Sequence, residues 1–279
     1  MKLREKSNMT TKKALKMFIL TLILMIIMTF FYAFEVSKIS LKWGLVGFVI
    51  AVLFSITAMI LNISQNKNNQ EYTEKKELKK KNFFLSYEFL DWLSFLSVSL
   101  MTIFLLFTFI ILPSDVSQSS MHPTLSNGDR ILIYHFLYEP KKNDVVVIQI
   151  TKEDYPRVPN SSFINTTTGQ IKDTIFFVKR IVALTGDEVT FNEINEEEYE
   201  VFINSEPVES TYGYVYQVNA YRKAILEEAL ENNIVKANLY IAFGDNAISS
   251  ADSRDYGAFN EQDVVGKVIF RLWPIGGIR

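Results

Sequence analysis

Two hydrophobic patterns divide the chain. In the first 114 residues, long uncharged apolar stretches alternate with short charged segments. Three of these stretches are long enough to cross a bilayer as helices: Met17 to Phe34, Trp43 to Asn66 and Trp92 to Ser114. Beyond them, short apolar and β-branched segments alternate with turn residues. The pattern predicts a membrane anchor of three transmembrane α-helices, residues 1–113, and a second domain, residues 114–279.

The second domain has the composition of a β-sheet protein. Its strand-like segments are rich in β-branched and aromatic residues and are separated by turn residues. They are "RILIYHF", "DVVVIQI", "TIFFVKRIVAL", "DEVTF", "EYEVFIN", "NLYIAFGD" and "DVVGKVIFRLW". Only Ala220 to Asn233 has the apolar spacing of a helix. We therefore expect a mostly antiparallel β domain with one small helical insertion.

Charge predicts the orientation in the membrane. Residues 1–113 carry a net charge of +7, and residues 114–279 carry −9. Lys and Arg near span ends stay on the cytoplasmic side, so we expect a cytoplasmic N-terminus and an extracytoplasmic second domain of a multi-pass cell-membrane protein. That acidic domain lacks the basic surface that nucleic-acid binding requires. There is no cysteine, and the two histidines fit no metal-ligand spacing, so neither a metal nor a cofactor is expected.

The segment "SQSSMHPTL" places three serines directly after the third predicted span. A serine nucleophile needs a neighbouring base. His122 lies only two residues after Ser120, where an extended chain sets the two side chains side by side, and an exposed loop histidine explains it better. Lys179 shares its face of a strand with Phe177 and Ile181, and such burial lowers a lysine pKa from ~10.4 by up to roughly 3–5 units. A lysine at a strand edge that reaches solvent fits the same pattern.

A third polar segment, "FGDNAISSADSRDYG", combines small hydrogen-bonding side chains with a charged pair. It can orient a base and stabilise a turn through side-chain hydrogen bonds, and Asp252 and Arg254 can form an ion pair. An ordinary polar loop has a similar composition.

Taken in order, "SSMHPTL", "KRIVALTGD" and "GDNAISSADSR" resemble the signature motifs of bacterial type I signal peptidases, which are membrane-anchored serine proteases with a Ser–Lys dyad. The closing "DVVGKVIFRLWPIGGIR" is similar to the C-terminal strand of that family. The resemblance implies that Ser120 is the nucleophile and Lys179 the general base. It also implies that Ser250 hydrogen-bonds and orients the lysine, and that Asp252 and Arg254 form a structural ion pair.

The resemblance further implies that the substrates are signal peptides of exported preproteins, cut after an Ala-Xaa-Ala sequence. The substrate would form an added strand between Asp115–Gln118 and Asp173–Val178. The implied substrate contacts are Asp115, Val116, Ser117, Met121, Phe177 and Val178. The lipid bilayer and the secretion translocon are the implied partners. Ser120 follows Pro113 by seven residues, at most about 23–25 Å of extended chain, which keeps it near the membrane surface.

The sequence departs from the family pattern at several positions. Gln118 stands two residues before Ser120, where a serine or glycine that helps form the oxyanion hole is common, and its amide can donate instead. Ala183, Thr185 and Ala247 replace a glycine, a proline and an arginine that are usual in the family. Alternatives are a peptidase dedicated to a few surface or pilus proteins, a non-catalytic homologue, a self-cleaving repressor-type protease, and a histidine-dependent serine protease.

Overall fold

The computed structural model describes residues 105–165 and 168–278, together with scattered helical positions between residues 16 and 103. The first two predicted spans and most of the third lie outside the described residues. Among the residues that are described, we find no helix with the length and apolar character needed to cross a membrane. The chain divides into two compact units, Met1–Ile110 and Ile111–Arg279. The membrane anchor of residues 1–113 stays a prediction.

The second unit consists mainly of β-strands. In chain order they are β1 (Ile111–Asp115), β2 (Arg130–Tyr134), β3 (Val145–Thr151), β4 (Thr174–Ala183), β5 (Val189–Glu193), β6 (Glu198–Ile203), β7 (Glu206–Pro207), β8 (Gln217–Asn219), β9 (Leu230–Glu231), β10 (Ile234–Val235), β11 (Leu239–Phe243), β12 (Phe259–Asn260), β13 (Val264–Trp273) and β14 (Gly276–Gly277). The α-helices are α1 (Ala220–Glu227) and α2 (Ser253–Tyr256), and 3₁₀ turns cover Asn160–Phe163 and Glu261–Asp263. All seven strands expected from the sequence are present, as β2 to β6, β11 and β13.

The main sheet has the strand order β1-β2-β13-β3-β4-β11-β12, and β14 pairs with β13. An accessory sheet contains β5, β6, β7 and β8, and β9 and β10 form a separate hairpin. Every described strand pair is antiparallel. The prediction of a mostly antiparallel β domain with little helix is therefore confirmed.

The third predicted span was expected to continue as a helix to Ser114, and this part of the prediction is wrong. Leu106–Ile110 forms a π-helical turn, and the chain then enters β1 and not a further helical turn. Strand β1 pairs residue for residue with β2, from Ile111 opposite Tyr134 to Asp115 opposite Arg130. Pro113 has no N–H to donate, which ends a helix but is tolerated on an edge strand such as β1.

The predicted helix from Ala220 to Asn233 is also too long. Helix α1 begins after Asn219, whose side chain accepts a hydrogen bond from the Arg222 N–H, and it ends at Glu227. The remaining residues form the β9–β10 hairpin. Its turn is made by Asn232 and Asn233, whose φ angles of 52° and 66° are left-handed. Asparagine tolerates this conformation better than most residues do, so the pair makes a tight turn where the apolar spacing predicted helix.

Two apolar clusters pack against strands β4 and β11. Alternate residues of a strand point to opposite faces. Accordingly Ile181 and Ala242 belong to the first cluster, whereas Val182 and Phe243 belong to the second. The first cluster also includes buried residues of β3 and the Asn160–Phe163 turn, and the second packs the accessory sheet and α1 against the main sheet. Strand β4 is therefore buried from both sides over its second half.

Candidate active site

Ser120 lies in the loop that joins β1 to β2, residues 116–129. Backbone hydrogen bonds fold this loop: the Val116 N–H donates to the Asp129 carbonyl (2.8 Å), and the Leu125 N–H donates to the Met121 carbonyl (2.9 Å). The side chains of Val116, Met121 and Leu125 are buried and anchor the loop. Ser120 is consequently held in a fixed, half-buried position.

Lys179 lies on β4, opposite Val146 of β3. Its side chain passes within 5.5 Å of the Phe177 ring centre, as expected for residues on the same face of a strand. Lys179 is only 3% exposed, and its Nζ donates a hydrogen bond to Ser120 Oγ at 2.9 Å. Strands β2, β13 and β3 separate β1 from β4 in the sheet order, so this contact requires the sheet to curl.

The surroundings of Lys179 favour a neutral amine. Burial lowers the pKa of Lys179 to about 8, and the nearby positive charge of Arg254 acts in the same direction. The carboxylate of Asp252 opposes the shift. A lysine with this pKa is mostly neutral above pH 8 and still has a small neutral fraction at pH 7, and the neutral amine can accept the proton of the Ser120 hydroxyl.

Two buried ion pairs support the site. Asp252 accepts hydrogen bonds from Arg254 Nε (2.9 Å) and Nη2 (2.8 Å), and both side chains are almost fully buried. Burial alone would raise the pKa of Asp252, but the hydrogen bonds and charge of Arg254 keep it below its usual value. Asp245 likewise accepts from Arg180 Nε (2.8 Å) and Nη2 (2.7 Å).

The segment after β11 contacts the Ser120 loop through Gly244 and Asn246. A Cβ atom at Gly244 would stand 2.5 Å from the Ser120 carbonyl oxygen and closer still to Ser250 Oγ, so only glycine fits there. The Asn246 N–H donates to the Ser120 carbonyl (3.0 Å), and Asn246 Nδ2 donates to the Ser119 carbonyl (3.1 Å). Asn246 thus joins the segment after β11 to the backbone of the Ser120 loop.

The sequence model of the family described as "Signal peptidase, peptidase S26" matches residues 89–273, well over half of the chain. The chain belongs to this family. The predicted resemblance is therefore confirmed, and with it the prediction of a serine peptidase.

The chain is also similar to individual signal peptidases, among them one of known structure. Signal peptidase IB of Staphylococcus aureus (strain Mu50 / ATCC 700699) is 27% identical over 198 residues, which cover 67% of this chain and 91% of the relative. Signal peptidase I P of Bacillus subtilis subsp. natto is 28% identical over 211 residues, covering 74% and 97%. The crystal structure of a signal peptidase I from Enterococcus faecalis V583 is 20% identical and covers 47% of this chain and 97% of that chain, with a TM-score of 0.29.

The structure brings together Ser120 and Lys179 of the peptidase, and also Asp252 and Arg254. It does not contain the predicted hydrogen bond between Ser250 and Lys179. The Ser250 side chain packs against Gly244, and its hydroxyl helps to lower the pKa of Asp252. Ser250 is therefore next to the site, and its role in orienting the lysine stays a prediction.

The predicted substrate contacts in and after the last residue of β1 differ in how exposed they are. Asp115, Ser117 and Gln118 are exposed, whereas Val116 and Met121 are buried. Asp115 pairs with Arg130 at the surface (3.2 Å). The N–H and carbonyl of Val116 are both bonded within the loop, so they are not available to pair with a substrate strand.

Gln118 has an unusual backbone conformation, with a left-handed φ of 83°. Its N–H donates to Asn127 Oδ1 (3.1 Å), which keeps the backbone in this conformation. A glycine, which is common at this position in the family, adopts such a φ without strain.

On the β4 side, Phe177 and Val178 are half-buried, and the Phe177 ring stacks on Tyr256 with 5.8 Å between ring centres. Ile181 directs its N–H and carbonyl toward the residues that precede β3. The backbone N–H and carbonyl groups of successive residues point to opposite edges of a strand. Those of Phe176, Val178 and Arg180 therefore point to the other edge of β4. Strand β11 covers that edge only from Arg180 onward, and no described strand covers it at Phe176 or Val178.

Neither histidine contacts the dyad. His122 Nδ1 is hydrogen-bonded to the Tyr212 hydroxyl (2.7 Å), and the two rings stack. His135 is buried just after β2, and burial lowers its pKa.

Sequence reasoning missed the supporting roles of Arg180, Asp245 and Tyr216. The first two had a signal, since Arg180 follows the lysine directly and Asp245 follows the end of β11. Tyr216, whose hydroxyl donates to the Gly244 carbonyl (2.8 Å), had none, because no local pattern indicates a contact with a residue 28 positions away.

Proposed function

We propose that this peptidase cleaves N-terminal signal peptides from exported preproteins, with Ser120 as nucleophile and Lys179 as general base. The observation that carries the proposal is the 2.9 Å contact between Lys179 Nζ and Ser120 Oγ, made by a lysine whose pKa burial lowers to about 8. Without burial the amine would be protonated at neutral pH and would have no lone pair to offer.

In the acylation step, neutral Lys179 takes the proton of the Ser120 hydroxyl while Ser120 Oγ attacks the scissile carbonyl carbon. Lys179 then gives that proton to the departing nitrogen, the C–N bond breaks, and the mature chain leaves with a free amine. The signal peptide remains as an ester on Ser120. In deacylation, Lys179 removes a proton from water, the resulting hydroxide attacks the ester, and the proton returns to Ser120.

The negative charge that develops on the substrate oxygen needs hydrogen-bond donors. We assign this role to the Ser120 N–H and to the side-chain amide of the exposed Gln118, which has a left-handed backbone two residues before the nucleophile. Donors of this kind each contribute roughly 3–4 kcal/mol to transition-state stabilisation.

The substrate binds as an added strand along the uncovered edge of β4, where Phe176 and Val178 direct their backbone groups. The outer edge of β1 and the exposed Asp115, Ser117 and Gln118 border it on the other side. The small residues of an Ala-Xaa-Ala sequence would lie against four apolar side chains, those of the buried Val116 and Met121 and of the half-buried Phe177 and Val178. Asp252 and Arg254 stabilise the loop behind the dyad.

The three predicted spans anchor the peptidase in the cell membrane, with the second unit outside and near the translocon. A signal peptide is itself an apolar segment in that bilayer, so anchoring both molecules in one membrane raises their effective concentration.

The test compares cleavage of a preprotein that bears an Ala-Xaa-Ala site by the full chain in detergent. We expect the wild type and the His122→Ala variant to cut, and Ser120→Ala and Lys179→Met to lose activity by at least about a thousandfold. Cleavage by Lys179→Met would place the base elsewhere. Loss of cleavage in His122→Ala would favour a histidine-dependent mechanism, and an intact preprotein with the wild type would refute the proposed substrate class.

A further inference from the structure

The uncovered edge of β4 ends abruptly at the dyad. Strand β11 pairs with β4 from Arg180 onward, with Phe243 opposite Arg180. Gly244 follows immediately and lies against the Ser120 carbonyl. A substrate strand that follows the β4 edge toward Lys179 therefore cannot continue past it. With the signal peptide bound along this edge, as proposed, the residues after the scissile bond leave over the segment that follows β11.

This segment forms a tight turn, Asn246–Ser249, that is held at both ends. Within it, the Ser249 N–H donates to the Asn246 carbonyl (3.2 Å) and to Asn246 Oδ1 (3.2 Å). Asn246 is in turn bonded to the carbonyls of Ser119 and Ser120. From below, Nη1 of the buried Arg254 donates to the Ala247 carbonyl (3.0 Å).

The tip of the turn is an isoleucine that is almost completely exposed. Ile248 is 99% exposed, more than any other large apolar residue among those that the structure describes. Its exposure is not a consequence of a loose loop, because the hydrogen bonds of Asn246 and Arg254 fix the backbone on either side of it. The turn thus presents one apolar side chain beside the nucleophile, on the side where a product chain must leave.

We propose that Ile248 is a specificity-determining contact for the first residues of the mature chain, those directly after the scissile bond, and that it favours apolar side chains there. This inference rests on the proposed function. The occupant is the substrate and not lipid, because the turn is bonded to the carbonyl of the nucleophile itself and lies at the end of the uncovered β4 edge. Contact with an apolar substrate side chain removes apolar surface of Ile248 from water, which is favourable. Contact with a small polar side chain gives no such stabilisation.

The experiment uses the full chain in detergent and two peptides with the same signal segment and Ala-Xaa-Ala sequence. One continues after the scissile bond with Leu-Leu and the other with Ser-Ser. The quantity measured is the ratio of kcat/KM for the Leu-Leu peptide to that for the Ser-Ser peptide. We expect a ratio of about five or more for the wild type, since loss of a small apolar contact typically changes kcat/KM by about tenfold or more.

Ile248→Asn should bring this ratio to about one, and Ile248→Leu should keep it near the wild-type value. The matched control is Ile194→Asn, which changes an exposed isoleucine in the turn between β5 and β6 and should leave the ratio unchanged. The ratio separates specificity from folding, because a variant with less folded protein loses both rates equally.

An unchanged ratio in Ile248→Asn, or equal losses for both peptides, would overturn the inference while leaving the proposed function intact. So would a wild-type ratio of about one. If Ile248→Asn kept the ratio and instead weakened binding of the protein to vesicles of phosphatidylglycerol and phosphatidylethanolamine, Ile248 would be a lipid contact. If the wild type cut neither peptide, the proposed function itself would fail, and this inference with it.

Discussion

Burial of Lys179 favours its neutral form and is also a cost to the fold. The amine is 3% exposed, and its partner in the described contacts is a neutral hydroxyl and not a carboxylate. Removing a charged ammonium from water disfavours the charged form, which lowers the pKa and leaves a neutral amine as the favoured buried state. The same physical effect therefore predicts both a pH dependence of activity and a pH dependence of stability.

The first prediction concerns activity. Because the pKa of Lys179 is lowered to about 8, kcat/KM should rise about tenfold per pH unit well below pH 8 and level off above it. The measurement is a pH profile of peptide cleavage from pH 6 to pH 10. A profile that levels off near pH 6.5 would indicate a histidine, and one that still rises at pH 10 would indicate a solvent-exposed lysine.

The second prediction concerns stability. The folded-state pKa of Lys179 lies below its unfolded value, so between about pH 8 and 10.5 the unfolded chain binds more protons and the stability of the wild type increases with pH. Below pH 8 the cost of burial is fully present. Lys179→Met should therefore raise the free energy of unfolding at pH 6.5 by up to about 3 kcal/mol, and less at pH 10.

Urea denaturation at the two pH values measures this difference, with the exposed Lys172→Met as the matched control. We expect the control to change the stability by less than about 0.5 kcal/mol at either pH. A Lys179→Met variant that is less stable than the wild type at pH 6.5 would show that the lysine is a net stabilising residue.

At the scale of elements, the site depends on how closely the end of β11 approaches the loop after β1. Gly244 is the residue that permits this approach, since a side chain there would meet the Ser120 carbonyl and Ser250. The Asn246 N–H then bonds that same carbonyl, so the two segments are joined by both packing and hydrogen bonding.

The third prediction follows from this contact. Gly244→Ala should displace the Ser120 loop and lower kcat/KM by about a hundredfold, because a shift of about 1 Å in a reacting group has an effect of that size. It should also cost about 1–3 kcal/mol of stability through overpacking. Gly277→Ala is the control, since a Cβ there meets no atom within 4 Å. Equal activity of the two variants would mean that the loop adapts without moving Ser120.

The sequence alone predicts the elements and the dyad, but not the contacts that position it. Alternation along β4 correctly places Lys179 on the face of Phe177 and Ile181, because strand periodicity is a local property. The close approach at Gly244 joins segments more than 100 residues apart and has no local pattern. The asparagine turn after α1 was missed for a different reason: its apolar spacing fits a helix, and backbone conformation decides against it.

At the scale of the whole molecule, the second apolar cluster connects the accessory sheet to the site. Tyr216 belongs to this cluster, and its ring lies 5.0 Å from that of Phe243 and 5.1 Å from the Arg254 guanidinium. Its hydroxyl donates to the Gly244 carbonyl (2.8 Å). The accessory sheet thus stabilises the segment that carries Asn246 and Ile248.

The fourth prediction tests this connection. Tyr216→Phe removes the hydroxyl that donates to the buried Gly244 carbonyl. The loss of this hydrogen bond should lower the free energy of unfolding by about 1–3 kcal/mol. Tyr221→Phe, at an exposed position on α1, should change it by less than about 0.5 kcal/mol. Denaturant unfolding of both variants gives the comparison. Equal stabilities would mean that packing alone holds the accessory sheet in place.

Lys179 and Arg180 are neighbours on β4 and therefore point to opposite faces of the sheet. An error of one residue in the pairing of β3 with β4 would exchange their positions and bring a guanidinium to the Ser120 hydroxyl. A guanidinium does not give up its proton in proteins, so under the proposed Ser–Lys mechanism a molecule folded in this way would be inert even with all its strands formed. The bidentate bonds of Arg180 to Asp245 select against that error. Under the proposed mechanism, turnover by this enzyme therefore requires the correct register of β3 and β4.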